Sequence, residues 1–293
     1  MTDSTKTLDQ LERYRSSRGE LKSTSVRPNV LLIEVSGHLD RSLGSLMVEW
    51  ATELAAQGRF TIFLDCSAMR GFDTEVRGTL RRFKAQFGDC LTVHMLMGTA
   101  ASYCGELDDA LNHLDAAQEV DPLFPAIRAN RGVAYYFCKH FDDANRVFLE
   151  LLTEYPQRTS TRVSFANSLA LSGAYAAARN ELNAVIEHDP DDAGARLSLA
   201  IVTAREGDKR QAKKIVNSVR GGGEIEKTNP SALAAVYAQL GEPDEALAWL
   251  ARAAAAHEGG FAECQVDPML EPVAATEGFR ALLAQHGLYW RHG

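Results

Sequence analysis

"LTVHMLMG", residues 91–98, is the stretch whose reading decides how this chain is organised. It follows Gly88-Asp89 and alternates Leu91, Val93, Met95 and Met97 with Thr92, His94 and Leu96. Period-two alternation of this kind reads as a β-strand. A 34-residue spacing that runs through the downstream sequence places the same residues on a helix. The choice sets where one domain stops and how many helical repeats follow it.

The spacing is carried by three kinds of residue. Gly105, Lys139, Gly173, Gly207 and Gly241 are separated by 34 positions each time. Five residues further on, Ala110, Ala144, Ala178, Ala212 and Ala246 keep the same period, and Pro122, Pro156 and Pro190 close three of the units. Glycine permits the left-handed turn that joins two antiparallel helices. Alanine lets the second helix approach its neighbour, and proline ends that helix. A helix pair of this length cannot bury its apolar face alone, so stability must come from stacking pair on pair.

These units, such as "YCGELDDALNHLDAAQEVDP" (103–122), "FCKHFDDANRVFLELLTEYP" (137–156) and "LSGAYAAARNELNAVIEHDP" (171–190), resemble the tetratricopeptide repeat (TPR) family. The resemblance implies a mainly α fold: a solenoid of about four to five helical hairpins over residues 98–257. Two features depart from the pattern. Lys139 stands where a turn glycine is expected, and the Gly-rich "RGGGEIEKTNP" (220–230) interrupts the fourth repeat. Residues 258–293 resemble the tail of TPR regions appended to bacterial kinases and transcriptional activators, on Val266-Asp267-Pro268, Phe279 and the leucines after it. There Thr276 and Glu277 open a last helix with Phe279, Leu282 and Leu283 on one face, read as a cap on the solenoid.

Residues 28–97 have another rhythm. "NVLLIEVSG" (29–37) and "FTIFLDC" (60–66) read as strands. Between them Leu43, Leu46, Met47, Trp50 and Leu54 have helical spacing, and "DTEVRGTLRRFKAQFG" (73–88) reads as a second helix. A small α/β layer follows. "LLIEVSGHLD" (31–40) and "FLDCSAMRGFDT" (63–74) resemble the STAS domain of bacterial anti-anti-sigma factors. That resemblance implies that Thr74 is a phosphorylated switch. Glu75 and Val76 replace the small residues that follow the acceptor in that family, and a carboxylate there would repel a phosphate. Thr74 otherwise reads as an N-cap hydroxyl worth about 1 kcal/mol. Residues 1–27 are polar and read as a flexible segment.

On this organisation residues 91–97 become the third strand of the sheet, because two strands alone are marginal. "GTAASYCG" (98–105) is then an abbreviated first repeat helix, and residues 106–120 pack both on the sheet and on the solenoid.

Composition restricts function. A formal net charge of -8 argues against a phosphate-tracking nucleic-acid surface. No apolar run approaches the ~18 residues of a membrane span, and the N-terminus lacks a signal-peptide core. A cytoplasmic protein is the expectation. The five cysteines, Cys66, Cys90, Cys104, Cys138 and Cys264, never form C-x-x-C and read as reduced thiols. No H-E-x-x-H, P-loop or G-x-S-x-G motif occurs, so neither catalytic residues, a metal site nor a cofactor is expected.

What remains is a surface. In the TPR family the first helix of each pair lines a concave groove that binds proteins or peptides. Carried onto this sequence, the groove residues are Ala129, Val133, Tyr136 and Phe137, then Val163, Asn167 and Leu171, then Leu197, Ile201 and Arg205. Aromatic residues carry much of interface affinity, which points to Tyr136 and Phe137. The function expected is a non-enzymatic bacterial interaction scaffold. The alternative is an anti-anti-sigma-like switch, set by phosphorylation, whose repeats select the partner.

Overall fold

The computed structural model describes residues 12–16, 19–27, 30–39, 42–47, 49, 61–72, 91–220, 229–256 and 259–292. The chain divides into two compact units, Met1–Gly88 and Asp89–Gly293. The expected helix 73–88, Thr74 and most of the glycine-rich link at 220–230 lie outside the described residues.

The first unit carries a four-stranded sheet in sequence order, β1 (Glu12–Arg15), β2 (Gly19–Arg27), β3 (Val30–Leu39) and β4 (Thr61–Phe72). β1 and β2 pair antiparallel, as do β2 and β3, whereas β3 and β4 run parallel from Val30↔Thr61 to Leu39↔Phe72. A parallel pair needs a long crossover. Residues 42–47 within it are helical, with Leu43 and Met47 both 2% exposed one helical turn apart. Two expectations are corrected here. The polar stretches 12–15 and 19–27 are strands rather than a flexible segment, and it is they, not residues 91–97, that complete the sheet. Arg15 pairs with Glu20 at 2.8 Å across the β1–β2 turn, so polar side chains decorate an ordered hairpin.

Residues 91–98 are helical. They begin α1 (Leu91–Tyr103), a full first helix of 13 residues that belongs to the second unit. The physical reason lies in packing. Met97, Ala100, Ala101 and Ser102 are all buried. A Cβ on Gly98 would meet the Leu114 side chain at 3.0 Å, so the glycine is the point of close approach to the next helix. A helix apolar on several sides satisfies an alternating sequence as well as a strand does.

The repeats follow as helix pairs: α1 with α2 (Leu107–Val120), α3 (Pro125–Phe137) with α4 (Phe141–Glu154), α5 (Thr159–Leu171) with α6 (Tyr175–His188), α7 (Ala193–Arg205) with α8 (Lys209–Arg220), and α9 (Pro230–Leu240) with α10 (Pro243–Ala255). All five turn positions adopt positive φ: Gly105 at 70°, Gly173 at 86°, Gly207 at 100°, Gly241 at 77°, and Lys139 at 62° without the glycine that conformation favours. The five periodic alanines are all 0% exposed. Each first helix packs on the first helix of the next pair, α1 on α3, α3 on α5, α5 on α7 and α7 on α9, which forms one continuous inner face.

After α10 the chain makes two 3-10 segments, Gly259–Gln265 and Pro268–Leu270, then α11 (Glu271–Ala274) and α12 (Glu277–Gln285). Thr276 caps α12 by accepting from the Phe279 N–H at 3.3 Å. Phe279, fully buried, and Leu283 join Trp249 and Leu250 of α10 in one core. The 3-10 segments join the same core through Phe261, Cys264, Met269 and Leu270 and also reach beyond it. Gly259–Gln265 contacts α9 and α10 and, at the far end of the repeats, α1, and Pro268–Leu270 packs on α9.

Candidate functional site

The inner face is therefore bridged by a strap, residues 259–271, that runs from the last repeat to the first. Its anchors are specific. Tyr103, the last residue of α1, donates its hydroxyl to Glu263 Oε1 at 2.7 Å. Tyr136, near the end of α3, donates to Asp267 Oδ1 at 3.0 Å, and the same oxygen accepts from the Met269 N–H at 2.9 Å. Lys139 Nζ lies 2.7 Å from Glu271 Oε1. Gln239 of α9 donates to the Met269 carbonyl at 2.6 Å. Residues 289–292 add a second layer: the Arg291 N–H donates to the Gln265 carbonyl at 3.0 Å, and the Arg291 Cβ lies 3.4 Å from where a Cβ on Gly105 would sit.

Between strap and repeats is a cavity of about 310 Å³. Its walls are Thr99, Ser102 and Tyr103 of α1, Asn130, Val133, Tyr136 and Phe137 of α3, and Phe148 of α4. Ser164 and Asn167 of α5 close one side, and Glu263 and Asp267 of the strap form the lid. Tyr103 and Tyr136 stand edge-on to Phe137, with ring centroids at 5.6 and 5.4 Å. These contacts hold both phenols in place.

Burial raises the pKa of both tyrosines well above the usual phenol value, and Glu263 and Asp267 raise them further, so the hydroxyls remain donors. Burial also raises the Asp267 carboxyl, against the lowering effect of the bonds from Met269 and Tyr136. Asp267 has no Lys or Arg ion-pair partner among the described residues. Arg205, whose charge partly offsets the rise at Tyr136, is engaged by the Ala170 carbonyl at 3.1 Å and by Gln239 Oε1 at 2.9 Å. Asn167 Oδ1 is buried with no hydrogen-bond donor.

Two hydroxyls of the lining are already engaged. Ser102 and Ser164 donate to carbonyls of their own helices, Gly98 at 2.8 Å and Ser160 at 3.1 Å. Neither His nor Lys lines the cavity to activate them. No group of His, Cys, Asp and Glu suited to a metal ion occurs among the described residues. Cys138 is pushed up to about 11 by burial and by Asp108, which makes its thiol a poor nucleophile.

Of the ten residues expected to line the groove, Val133, Tyr136, Phe137 and Asn167 come together at this cavity. Phe137 is 4% exposed, Leu197 2% and Ile201 5%, so these three are mainly core. Ala129, Val163 and Leu171 are half-buried on the inner helices, with Val163 packed against the core of the middle repeats and Leu171 against that of the later ones. The sequence reading missed the strap residues Glu263 and Asp267. The carboxylates of "FAECQVDP" look like solvated residues until the strap is folded across the repeats.

Residues 169–221 match the family model described as "Tetratricopeptide repeat". The match covers the end of α5 through α8 and does not extend to residues 28–97. None of the curated proteins matches the chain. Among solved structures, a tetratricopeptide repeat protein from Parabacteroides merdae ATCC 43184 is similar at 15% identity and TM-score 0.49, over 83% of this chain and 92% of that one. A thermophilic TPR protein from Thermus thermophilus is similar at 18% identity and TM-score 0.47, over 67% and 98%. YrrB, described as "a TPR protein with an unusual peptide-binding site", is similar at 18% identity and TM-score 0.39, over 60% and 91%.

Proposed function

We propose that the chain is a non-enzymatic, cytoplasmic adaptor that holds a protein or peptide partner on the inner face of its repeats. The groove comprises Ala129, Val133, Tyr136, Val163, Asn167, Leu171 and Arg205, with Phe137, Leu197 and Ile201 buried beneath it and the cavity under the strap as its focus. The observation that carries this reading is the meeting of Val133, Tyr136, Phe137 and Asn167, from two successive repeats, around a cavity of about 310 Å³. Stacked repeats have no need of such a space for stability, since interiors otherwise pack to crystal density. Aromatic walls with a few convergent polar groups are the usual make-up of a recognition pocket. No helix among the described residues is long and apolar enough to cross a membrane. The phosphorylation-switch alternative has no observation in its favour.

Val133→Trp tests the reading, because indole at this half-buried position fills the cavity from α3. Affinity capture with the wild-type chain, followed by mass spectrometry, should enrich a partner that Val133→Trp loses while keeping its helical circular dichroism. Capture unaffected by Val133→Trp would place the partner site elsewhere.

A further inference from the structure

The cavity has a chemical bias that a generic peptide groove would not need. Asp267 reaches it from the strap with a carboxylate held by two donors, the Tyr136 hydroxyl and the Met269 N–H, and with no cation paired to it among the described residues. A carboxylate taken out of water without a counter-charge is costly, and proteins keep one chiefly where something else supplies the charge. Across the cavity, on a separate element, Asn167 has a buried side-chain oxygen with no donor. Buried acceptors are satisfied in the great majority of cases, so an orphan calls for a missing donor. Glu263 adds a second carboxylate to the same lining. The remaining wall is aromatic, with Tyr103, Tyr136, Phe137 and Phe148. Such faces attract cations and exclude anions.

We propose that this cavity receives the ammonium or guanidinium group of a lysine or arginine side chain presented by the partner protein, with Asp267 as counter-charge and Asn167 Oδ1 as acceptor. The assignment rests on the groove reading and deepens it. The volume, about 310 Å³, is at the lower limit for ligand pockets and fits one long side chain rather than a helix. A lysine or arginine stem would lie along the aromatic wall while its head meets the oxygens. The chain's excess of acidic over basic residues favours the approach of a basic partner.

The test uses the full chain and three small probes at constant ionic strength: N-acetyl-lysine amide, N-acetyl-arginine amide and the uncharged N-acetyl-norleucine amide. Isothermal titration or ligand-detected NMR should show saturable binding of at least one cation with a dissociation constant of about 1 mM, and none of the norleucine probe. Asp267→Asn keeps the shape and both hydrogen bonds to the strap, and should weaken binding at least about tenfold. Asn167→Leu, which leaves the strap untouched, should weaken it too, so the result does not depend on one variant. The assignment is overturned if norleucine amide binds as well as the cations, or if both cations bind the wild type and Asp267→Asn alike. A chain that captures a partner through a Val133-dependent surface yet ignores both cations also overturns it, and leaves the broader groove reading standing.

Discussion

The hydroxyl of Tyr136 lies 3.0 Å from Asp267 Oδ1, a hydrogen bond that joins the second repeat to the strap across 131 residues of chain. With Tyr103–Glu263 and Lys139–Glu271 it fastens the strap over the inner face. Tyr136→Phe keeps the ring and removes only the donor. It should cost about 1 kcal/mol, expressed locally as faster amide exchange through residues 263–270. Equal acceleration in α6 and α8 would show that the bond supports the whole solenoid instead.

Asp267 also makes stability depend on pH in an unusual direction. Its folded pKa is raised above the ordinary 3.8, chiefly by burial. Between 3.8 and that raised value the native state holds a proton that the unfolded chain has released. The fold therefore gains stability from this group as the pH falls through the raised value, and carries a constant penalty above it. Asp267→Asn should be more stable than the wild type at pH 7, with the difference closing as the pH approaches 3.8. Urea titrations of both chains across this range check it. A variant less stable at pH 7 would contradict the sign.

Lys139 occupies the one repeat turn where a side chain stands at positive φ, 62°, beside four repeat turns made by glycine. Left-handed backbone costs a non-glycine residue roughly 1–2 kcal/mol, and the half-exposed ion pair with Glu271 returns little of that. Lys139→Gly should therefore raise stability by about 1 kcal/mol, less the gain in unfolded-chain entropy. Glu271→Gln, measured beside it, isolates the ion pair. A loss of stability in Lys139→Gly matched by Glu271→Gln would mean that the strap contact outweighs the backbone.

Gly132 meets the opposite constraint. A Cβ there would clash with the Phe148 ring, lying 2.7 Å from Cδ1, and Phe148 is fully buried. Gly132→Ala, favourable on helix propensity alone, should instead destabilise by about 1–3 kcal/mol because the ring must leave its packed position. Thermal unfolding of Gly132→Ala beside Phe148→Leu with Gly132→Ala, where room is restored, distinguishes overpacking from a general cost. Recovery in the double variant is expected.

Much of the solenoid is legible in the sequence because its determinants are local. Gly173 and Ala178 each state a backbone or packing requirement that their own residue type reveals. The alternation of Leu91, Val93, Met95 and Met97 misleads because it records hydrophobicity without recording which neighbours absorb it. Residues 12–15 and 19–27 mislead in the reverse sense: strand pairing is made by backbone groups, so polar side chains do not forbid it. At the candidate site, Tyr136 and Asn167 can be placed on inner helices from their register. Glu263 and Asp267 cannot, since they belong to no repeat.

The sequence by itself determined the period, the turn conformations and the buried alanine seam of the repeats. These follow from what glycine, alanine and proline permit within a few residues of themselves. Tertiary structure alone decided that residues 91–98 are helical, because only stacking against Leu114 resolves an apolar stretch that suits either conformation. It alone laid the strap across the inner face and made one cavity of residues from four helices and the strap. Such a meeting depends on the superhelical path summed over all five pairs, which no local spacing encodes.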